Sequence, residues 1–507
     1  MFTKVNSCAN IGLNCELVEV ETDQMKTDQF AFLIVGLPDA AIQEAKERVR
    51  LALRNSGFRG LGYKTVVNLA PADLHKEGPG FDLPIAVSIL QTTEQLDLID
   101  LKDSLFVGEL ALNGETRHTS GILPIAIFTK EHGYKNLYIP ETNAAEAALI
   151  SEINIFPVKN LFQLIAHLKK IESIEPLKNS GMFHSELAPT FSADMAHVHG
   201  QEQAKRALEI AAAGCHNVLM SGPPGSGKTL LARTIPSILP PMQEEEILEV
   251  TKIYSVAGLL PKDRPIITNR PFRSPHHTSS GVALVGGGKM PKPGEISLAH
   301  RGILFLDEFP EFPRPVLENL RQPLEDGVIS ISRAQGTLTF PARFTLIASQ
   351  NPCPCGYATD TEKRCTCTPM QILKYQKKVS GPIIDRIDLH IEVPRVNFEK
   401  LQGGAPAEPS GVIRERISRV HDIQRKRFKD SGIKYNAEMR PQDIKQFCQV
   451  DQASLDLLRN AVSQLHLSAR SYHRILKLGR TIADLENCDN IQSRHIAEAL
   501  QYRPKEN

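Results

Sequence analysis

The most constraining stretch is residues 218–229. Val218, Leu219 and Met220 form a short apolar run that enters Gly222, Pro223, Pro224, Gly225, Ser226, Gly227, Lys228 and Thr229, the pattern GxxxxGK[ST]. A strand is expected before the loop and a helix, over about 230–235, after it. The chemistry needs that order: the glycines let backbone N–H groups and the helix N-terminus wrap a polyphosphate. In such a loop Lys228 reaches the β- and γ-phosphates and the Thr229 hydroxyl holds Mg2+, so ATP and Mg2+ are the expected cofactors.

A chain of 507 residues, 41% of them hydrophobic, should hold about three domains with real cores. Lys and Arg number 59 against 58 Asp and Glu, so any nucleic-acid contact must come from local basic groups. No apolar stretch approaches the ~20 residues that span a bilayer, and the first residues lack a signal-peptide core. Nine cysteines, four of them within 353–367, suit a reducing cytoplasm better than a disulfide framework.

Residues 1–170 alternate strand-like and helix-like segments. Strands are expected at 30–35, 64–69 and 105–112, the last running into the turn pair Asn113-Gly114. Helices are expected at 39–55, with Pro38 and Asp39 at the start and Gly57 past the end, and at 159–170. Residues 77–84, Glu-Gly-Pro-Gly-Phe-Asp-Leu-Pro, and the run from Gly108 to Gly114 leading to Gly121 and Leu123 resemble the proteolytic domain of Lon-type proteases. That resemblance implies a ribosomal S5 domain 2-like α+β fold. By the same alignment Gly80 stands where the nucleophilic serine would be and Leu123 where the lysine base would be. Neither can do that chemistry, so no peptidase dyad is expected. Residues 171–189 have linker composition.

Residues 190–396 read as a nucleotide-binding core. After the phosphate loop, Ile303, Leu304, Phe305 and Leu306 end in Asp307 and Glu308. Such a strand ends beside the phosphates, where Asp307 completes the Mg2+ shell and Glu308 orients water. A third apolar strand, 344–349, ends near Asn351. This order resembles AAA+ ATPases, in which Asn351 stands at the sensor 1 position and Gly200-Gln201-Glu202 lies over the adenine. Two insertions, 278–294 with Lys289 and Lys292 and 327–340 with Arg333, read as hairpins. They resemble the helix-2 insert and presensor-1 hairpin of the AAA+ group that holds magnesium chelatases and MCM helicases. The resemblance makes Arg333, Lys289 and Lys292 candidate DNA contacts; a solvated hairpin tip is the plainer reading of Arg333.

Cys353, Cys355, Cys365 and Cys367 form CxC–x9–CxC. Four thiolates so spaced can close a tetrahedral zinc site. Free thiols and a redox pair are the alternatives. Residues 382–388 resemble the arginine-finger segment of the same group, with Arg386 reaching a neighbour's nucleotide. Residues 397–507 read as a helical lid, with helices at 410–430, 441–449, 451–464, 468–486 and 492–502. Arg470 matches the sensor 2 position, implying contact with the γ-phosphate of its own subunit; Arg474 is a substitute one turn on.

Three further stretches carry a resemblance that spans nearly the whole chain: 66–73, Val-Val-Asn-Leu-Ala-Pro-Ala-Asp; 273–278, Arg-Ser-Pro-His-His-Thr, with 293–300; and 480–485. They resemble the ComM (YifB-like) family of magnesium-chelatase-like ATPases. The resemblance implies a bacterial, cytoplasmic, homo-hexameric helicase acting on single-stranded and branched DNA, with a recombinase as a further partner and no membrane. Its implied work is branch migration during natural transformation. The alternative is a chelatase-like motor that remodels a protein partner, against which the Lon-like first domain counts. His276 and His277 read as packing or hydrogen-bonding residues rather than metal ligands.

Overall fold

A computed structural model of the chain describes residues 2–25, 27, 31–74, 76, 78–177, 191, 193–261, 265–288, 291–333, 336–360, 362–396 and 408–504, without the side chains of 40, 41, 333 and 336. Lys289, the side chain of Arg333 and most of the expected linker therefore lie outside the described residues. The chain divides into two compact units. The first holds residues 1–187 and 244–268; the second holds 188–243 and 269–507.

The first unit is built on a seven-stranded mixed sheet. Its order is Phe32–Val35, Lys64–Ala70, Asn14–Met25, Thr3–Ile11, Ser104–Phe106, Asn136–Pro140 and Asn154–Val158. The alternating burial of Lys64–Ala70 shows why a period of two became a half-buried strand. Helix Ala40–Asn55 starts where Asp39 caps it, its carboxylate accepting the Ile42 N–H at 2.7 Å. Helix Asp82–Thr92 is buried on every side, as its near-continuous apolar sequence requires.

The expected single strand over 105–112 is interrupted. Gly108 turns away, its N–H donating to the Gly80 carbonyl at 2.8 Å, and Glu109–Leu110 then pairs with Thr116–Arg117 across the Asn113-Gly114 turn. Gly80 begins no helix of its own; it sits in the short 3-10 turn Pro79–Phe81. Leu123 is fully buried, and its backbone N–H donates to the Glu146 carboxylate at 2.9 Å.

Helix Glu244–Ala257 corrects the expected boundaries, because it belongs to the first unit although it follows the phosphate loop in sequence. Leu248 packs on the Ile122–Phe128 cluster, the Gly121 N–H donates to the Ser255 carbonyl at 3.0 Å, and the Ser255 hydroxyl donates to Glu146 at 2.5 Å.

The second unit carries a five-stranded sheet, ordered Phe272–Arg273, Ile303–Leu306, Thr345–Gln350, Val218–Ser221, Leu389–Glu392, with every pair parallel. The strand that feeds the phosphate loop thus lies between later strands. That is the switch point of an open α/β sheet, where ligands bind beyond the carboxyl ends.

The expected lid helices appear as Ser410–Arg427, Pro441–Phe447, Gln452–Gln464, Ala469–Leu485 and Ser493–Gln501. They do not form a separate unit. Ala207, Leu231, Ile413, Ile417, Leu478 and Ile482 share one hydrophobic cluster. Buried polar groups tie the same elements: Gln424 donates to the Ala213 carbonyl at 2.7 Å, and His216 bonds Thr481 at 2.8 Å. The 278–294 insert is also not simply a hairpin. Ser280 caps a short helix, Gly281–Val285, before Gly286–Gly287 pairs with Lys292–Pro293.

Candidate nucleotide site

Three strand ends of the second unit assemble the site. Val218–Ser221 delivers Gly222, whose Cα faces the Val393 carbonyl so closely that an added Cβ would lie 2.1 Å from that oxygen. Only glycine fits there. Gly225 and Gly227 adopt φ of +78° and +90°, and nothing lies within 4 Å of where their side chains would be. That open cradle is shaped for a ligand approached by backbone. Within it the Ser226 hydroxyl is buried without a hydrogen-bond partner. The helix begins at Lys228, two residues earlier than expected, and runs to Ile238.

The Lys228 ammonium is buried and donates to the Gly222 and Pro223 carbonyls at 2.7 and 2.9 Å. It also reaches Asn351 Oδ1 at 3.5 Å. Burial pulls its pKa down to about 8, against the opposing pull of Asp307. The Thr229 hydroxyl donates to Asp307 at 2.9 Å, and the Ser349 hydroxyl donates to the other Asp307 oxygen. Two hydroxyls therefore orient one carboxylate, and these oxygens make a donor set that fits a hard cation such as Mg2+.

Glu308 is exposed, with φ at +52°, a conformation rare for a residue with a side chain. Its carboxylate faces His277 Nδ1 at 3.3 Å. The His276 ring lies tilted beside His277, centroids 4.1 Å apart, and His276 bonds the Thr278 hydroxyl at 2.8 Å. The twin histidines thus hydrogen-bond as expected. Pairing of His277 with Glu308 was not legible, because the two are 31 positions apart in the chain.

Lys228, Thr229, Asp307, Glu308 and Asn351 meet at the carboxyl ends of the strands. Arg386 and Arg470 do not join them. Arg386 precedes Leu389, which pairs with Val218 at the amino end of the same strands, and the Arg386 carbonyl accepts from Asn217 at 3.1 Å. The four-residue strand Val218–Ser221 alone sets these edges apart by about 10 Å.

Arg386 pairs with Glu325, and Arg470 reaches the other oxygen of the same carboxylate at 2.9 Å. The two guanidiniums, Arg386 first, hold the Glu325 carboxyl below its ordinary range. Contact of Arg470 with its own subunit's γ-phosphate is therefore corrected: it lies with the expected finger, on the edge away from its own phosphate loop. Arg474 is no substitute, being buried with its guanidinium donating to the Ile387 carbonyl at 2.8 Å. Glu325, which organises both arginines, gave no sequence signal.

Of the candidate DNA contacts, Lys292 is exposed in the Gly286–Gly287/Lys292–Pro293 hairpin. Backbone pairing of Val328–Arg333 with Gly336–Pro341 forms the second expected hairpin. Beside the site, the sulfurs of Cys353, Cys355, Cys365 and Cys367 lie within 4.8 Å of one another.

Comparison with known proteins extends this geometry. Residues 194–401 match the family model described as magnesium chelatase, subunit ChlI; 18–143 match subunit ChlI of Mg-chelatase; and 407–503 match the subunit ChlI C-terminal model. The competence protein ComM of Haemophilus influenzae is 45% identical over 506 residues, covering 98% of this chain and 97% of that protein. The chain belongs to the ComM/YifB family of magnesium-chelatase-like AAA+ proteins. YifB of Salmonella typhimurium is 42% identical over 98% of this chain and 96% of its own length.

A more distant likeness, 24% over 42% of the chain and 25% of the relative, is to the maternal DNA replication licensing factor mcm6 of Xenopus tropicalis. The model matching the first domain also carries a chelatase subunit's description, so that domain does not by itself separate this ComM/YifB family member from chelatase motors. Among the described residues no helix is long and apolar enough to cross a membrane.

Proposed function

We propose that this ComM/YifB family member is an ATP-driven motor that assembles as a homo-hexameric ring and moves DNA. Its work is branch migration of recombination joints as single strands enter the chromosome in natural transformation. A recombinase is a fitting partner and the cytoplasm its place of work. The observation that carries the ring is the position of Arg386 and Arg470, both on Glu325 at the strand edge away from Lys228. Neither arginine is paired with a residue of its own phosphate loop; a neighbour presenting that edge supplies two.

The residues divide the work. Lys228 and the loop N–H groups hold the phosphates of ATP. Thr229 and Asp307 would hold Mg2+, which when bound neutralises charge on the β- and γ-oxygens. Glu308 accepts a hydrogen bond from the attacking water once it leaves His277, and Asn351 fixes the same region. Arg386 and Arg470 of the adjoining subunit stabilise charge that develops on transfer. Arg333, Lys289 and Lys292 meet DNA phosphate in the pore with little base preference. Cys353, Cys355, Cys365 and Cys367 hold a structural zinc. The first domain is a Lon-like docking or assembly platform without a peptidase dyad, since Gly80 and Leu123 bear no nucleophile or base.

The test is the ATPase rate against protein concentration, with and without single-stranded DNA. A steep rise near the assembly threshold and strong DNA stimulation are expected. The chelatase descriptions of all three family models favour a second reading, a motor that remodels a protein partner; indifference to DNA would select it.

A further inference from the structure

The segment from Cys353 to Thr368 connects the Asn351 strand to helix Pro369–Gln376 without a helix or strand among its described residues. It has no apolar core either. After Cys353, fully buried, the next buried hydrophobic residue among those described is Tyr375. Loops this long without secondary structure are uncommon and need some other constraint. The four thiols are the group positioned to supply it. The Sγ–Sγ separations are 3.3 Å for Cys353–Cys355, 3.7 Å for Cys353–Cys365 and 3.6 Å for Cys355–Cys365. A disulfide requires about 2.05 Å, so these are not bonded pairs. A tetrahedron with Zn–S bonds of about 2.3 Å has S–S edges of about 3.8 Å, close to the spacing found.

This loop touches the nucleotide site at two places. Gly356, at φ +86°, lies flat on the phosphate loop: an added Cβ would come 2.6 Å from Pro224 Cδ and 3.9 Å from Asn351 Cγ. Farther along, Asp360 forms an ion pair with Arg395 at 2.7 Å, and the Arg395 guanidinium sits 5.7 Å over the Tyr357 ring. The neighbouring Pro394 carbonyl accepts from the Gln201 amide, which also donates to the Ser226 carbonyl at 3.5 Å. The two routes converge on the phosphate loop two residues apart, at Pro224 and Ser226. Asn351, two residues before the first cysteine, closes the circuit through Lys228.

We propose that one zinc ion bound by Cys353, Cys355, Cys365 and Cys367 clamps this loop against Pro224, so that nucleotide affinity depends on metal occupancy. The proposal rests on the reading of the phosphate loop as an ATP site and adds regulation of that site. The physical reason is preorganisation. With the thiolates tied to one ion the loop has one shape and Gly356 stays seated on Pro224. With the ion removed, the segment has no core to hold that shape. The phosphate loop must then be ordered at the expense of nucleotide binding energy.

The experiment uses the full chain. Zinc is counted by plasma mass spectrometry. Binding of a fluorescent ADP analogue is titrated at fixed Mg2+ in protein as purified, after zinc extraction with a thiol-displacing reagent and chelator, and after zinc is returned. About one zinc per chain is expected. Extraction should weaken nucleotide binding about tenfold or more, with recovery on return of zinc. Gly356→Ala should weaken binding with zinc still present, because it breaks the contact and not the cluster. Cys355→Ser with Cys365→Ser should lose both zinc and affinity; should that variant fail to fold, Gly356→Ala still decides. Folded protein without zinc, or extraction that leaves affinity within about twofold, would overturn the clamp, as would a Gly356→Ala chain that binds like wild type. Failure of the zinc-loaded wild type to bind ADP at all would instead refute the ATP-site reading.

Discussion

Raising the pH should weaken nucleotide binding through Lys228 alone, and the size of the effect follows from its setting. Its ammonium is buried against two carbonyls, and burial brings its pKa from the ordinary lysine range to about 8 despite Asp307 nearby. Only the charged form attracts phosphate, and bound phosphate raises the pKa again, so the complex takes up the proton that the free site loses. Affinity is then full below the free-site pKa and lost as pH rises through it. With that pKa at 8, the charged fraction falls from about nine-tenths at pH 7 to about one-tenth at pH 9. The apparent Kd should rise about tenfold over that interval, or about 1.4 kcal/mol, and by nearly another decade per unit above it.

The assay is equilibrium titration of a fluorescent ADP analogue at constant Mg2+ and ionic strength. ADP is preferred because its own phosphate ionisation is nearly complete at the lower end. Lys228→Met should bind weakly and show no such slope, which separates this group from other titrations. A wild-type profile flat to about pH 9.5 would refute the argument that burial depresses the ammonium.

Four other outcomes follow. Glu308→Gln should bind ATP with near-normal affinity and hydrolyse it about 100-fold or more slowly, read by single-turnover kinetics. His277→Ala, which removes the partner of Glu308 at 3.3 Å, should raise basal turnover several-fold without moving nucleotide Kd. Arg386→Ala and Arg470→Ala should each be nearly inactive alone and each recover part of its hydrolysis when mixed with Lys228→Ala, because a mixed interface pairs an intact loop with an intact arginine edge; no recovery in mixed rings that demonstrably form would remove both from a trans role. Asp484→Ala should destabilise the second unit by about 3–5 kcal/mol in denaturant titration, since Asp484 is buried and is the carboxylate paired with both Arg427, at 2.5 Å, and the buried Arg480, at 2.9 Å.

Periodicity and turn chemistry were enough for part of the elements; the two longest strands of the first sheet, Thr3–Ile11 and Asn14–Met25, were not among those expected. The Asp39 cap, the half-buried strand at 64–70 and the helix at 469–485 appear within a residue or two of where local sequence puts them. Lys228, Thr229, Asp307, Glu308 and Asn351 could be read together because they follow three apolar strands, and parallel strands bring their carboxyl ends to one edge. Those signals are local, so one sequence carries them.

What tertiary structure alone decided involves groups that are remote in sequence. Glu325 binds Arg386 and Arg470 at once, 61 and 145 positions away, and so moves Arg470 from a contact within its own subunit to the far edge of the sheet. Helix Glu244–Ala257 joins the first unit because Leu248 and Ser255 find partners there, although its sequence lies among nucleotide-site motifs. The lid shares a core with the helices that flank the phosphate-loop strand because Ile413, Ile417 and Ile482 cluster with Ala207 and Leu231. Hydrophobic burial and charge pairing act through space and are indifferent to chain separation. A sequence therefore declares which side chains must be buried or paired, and only the fold selects with whom.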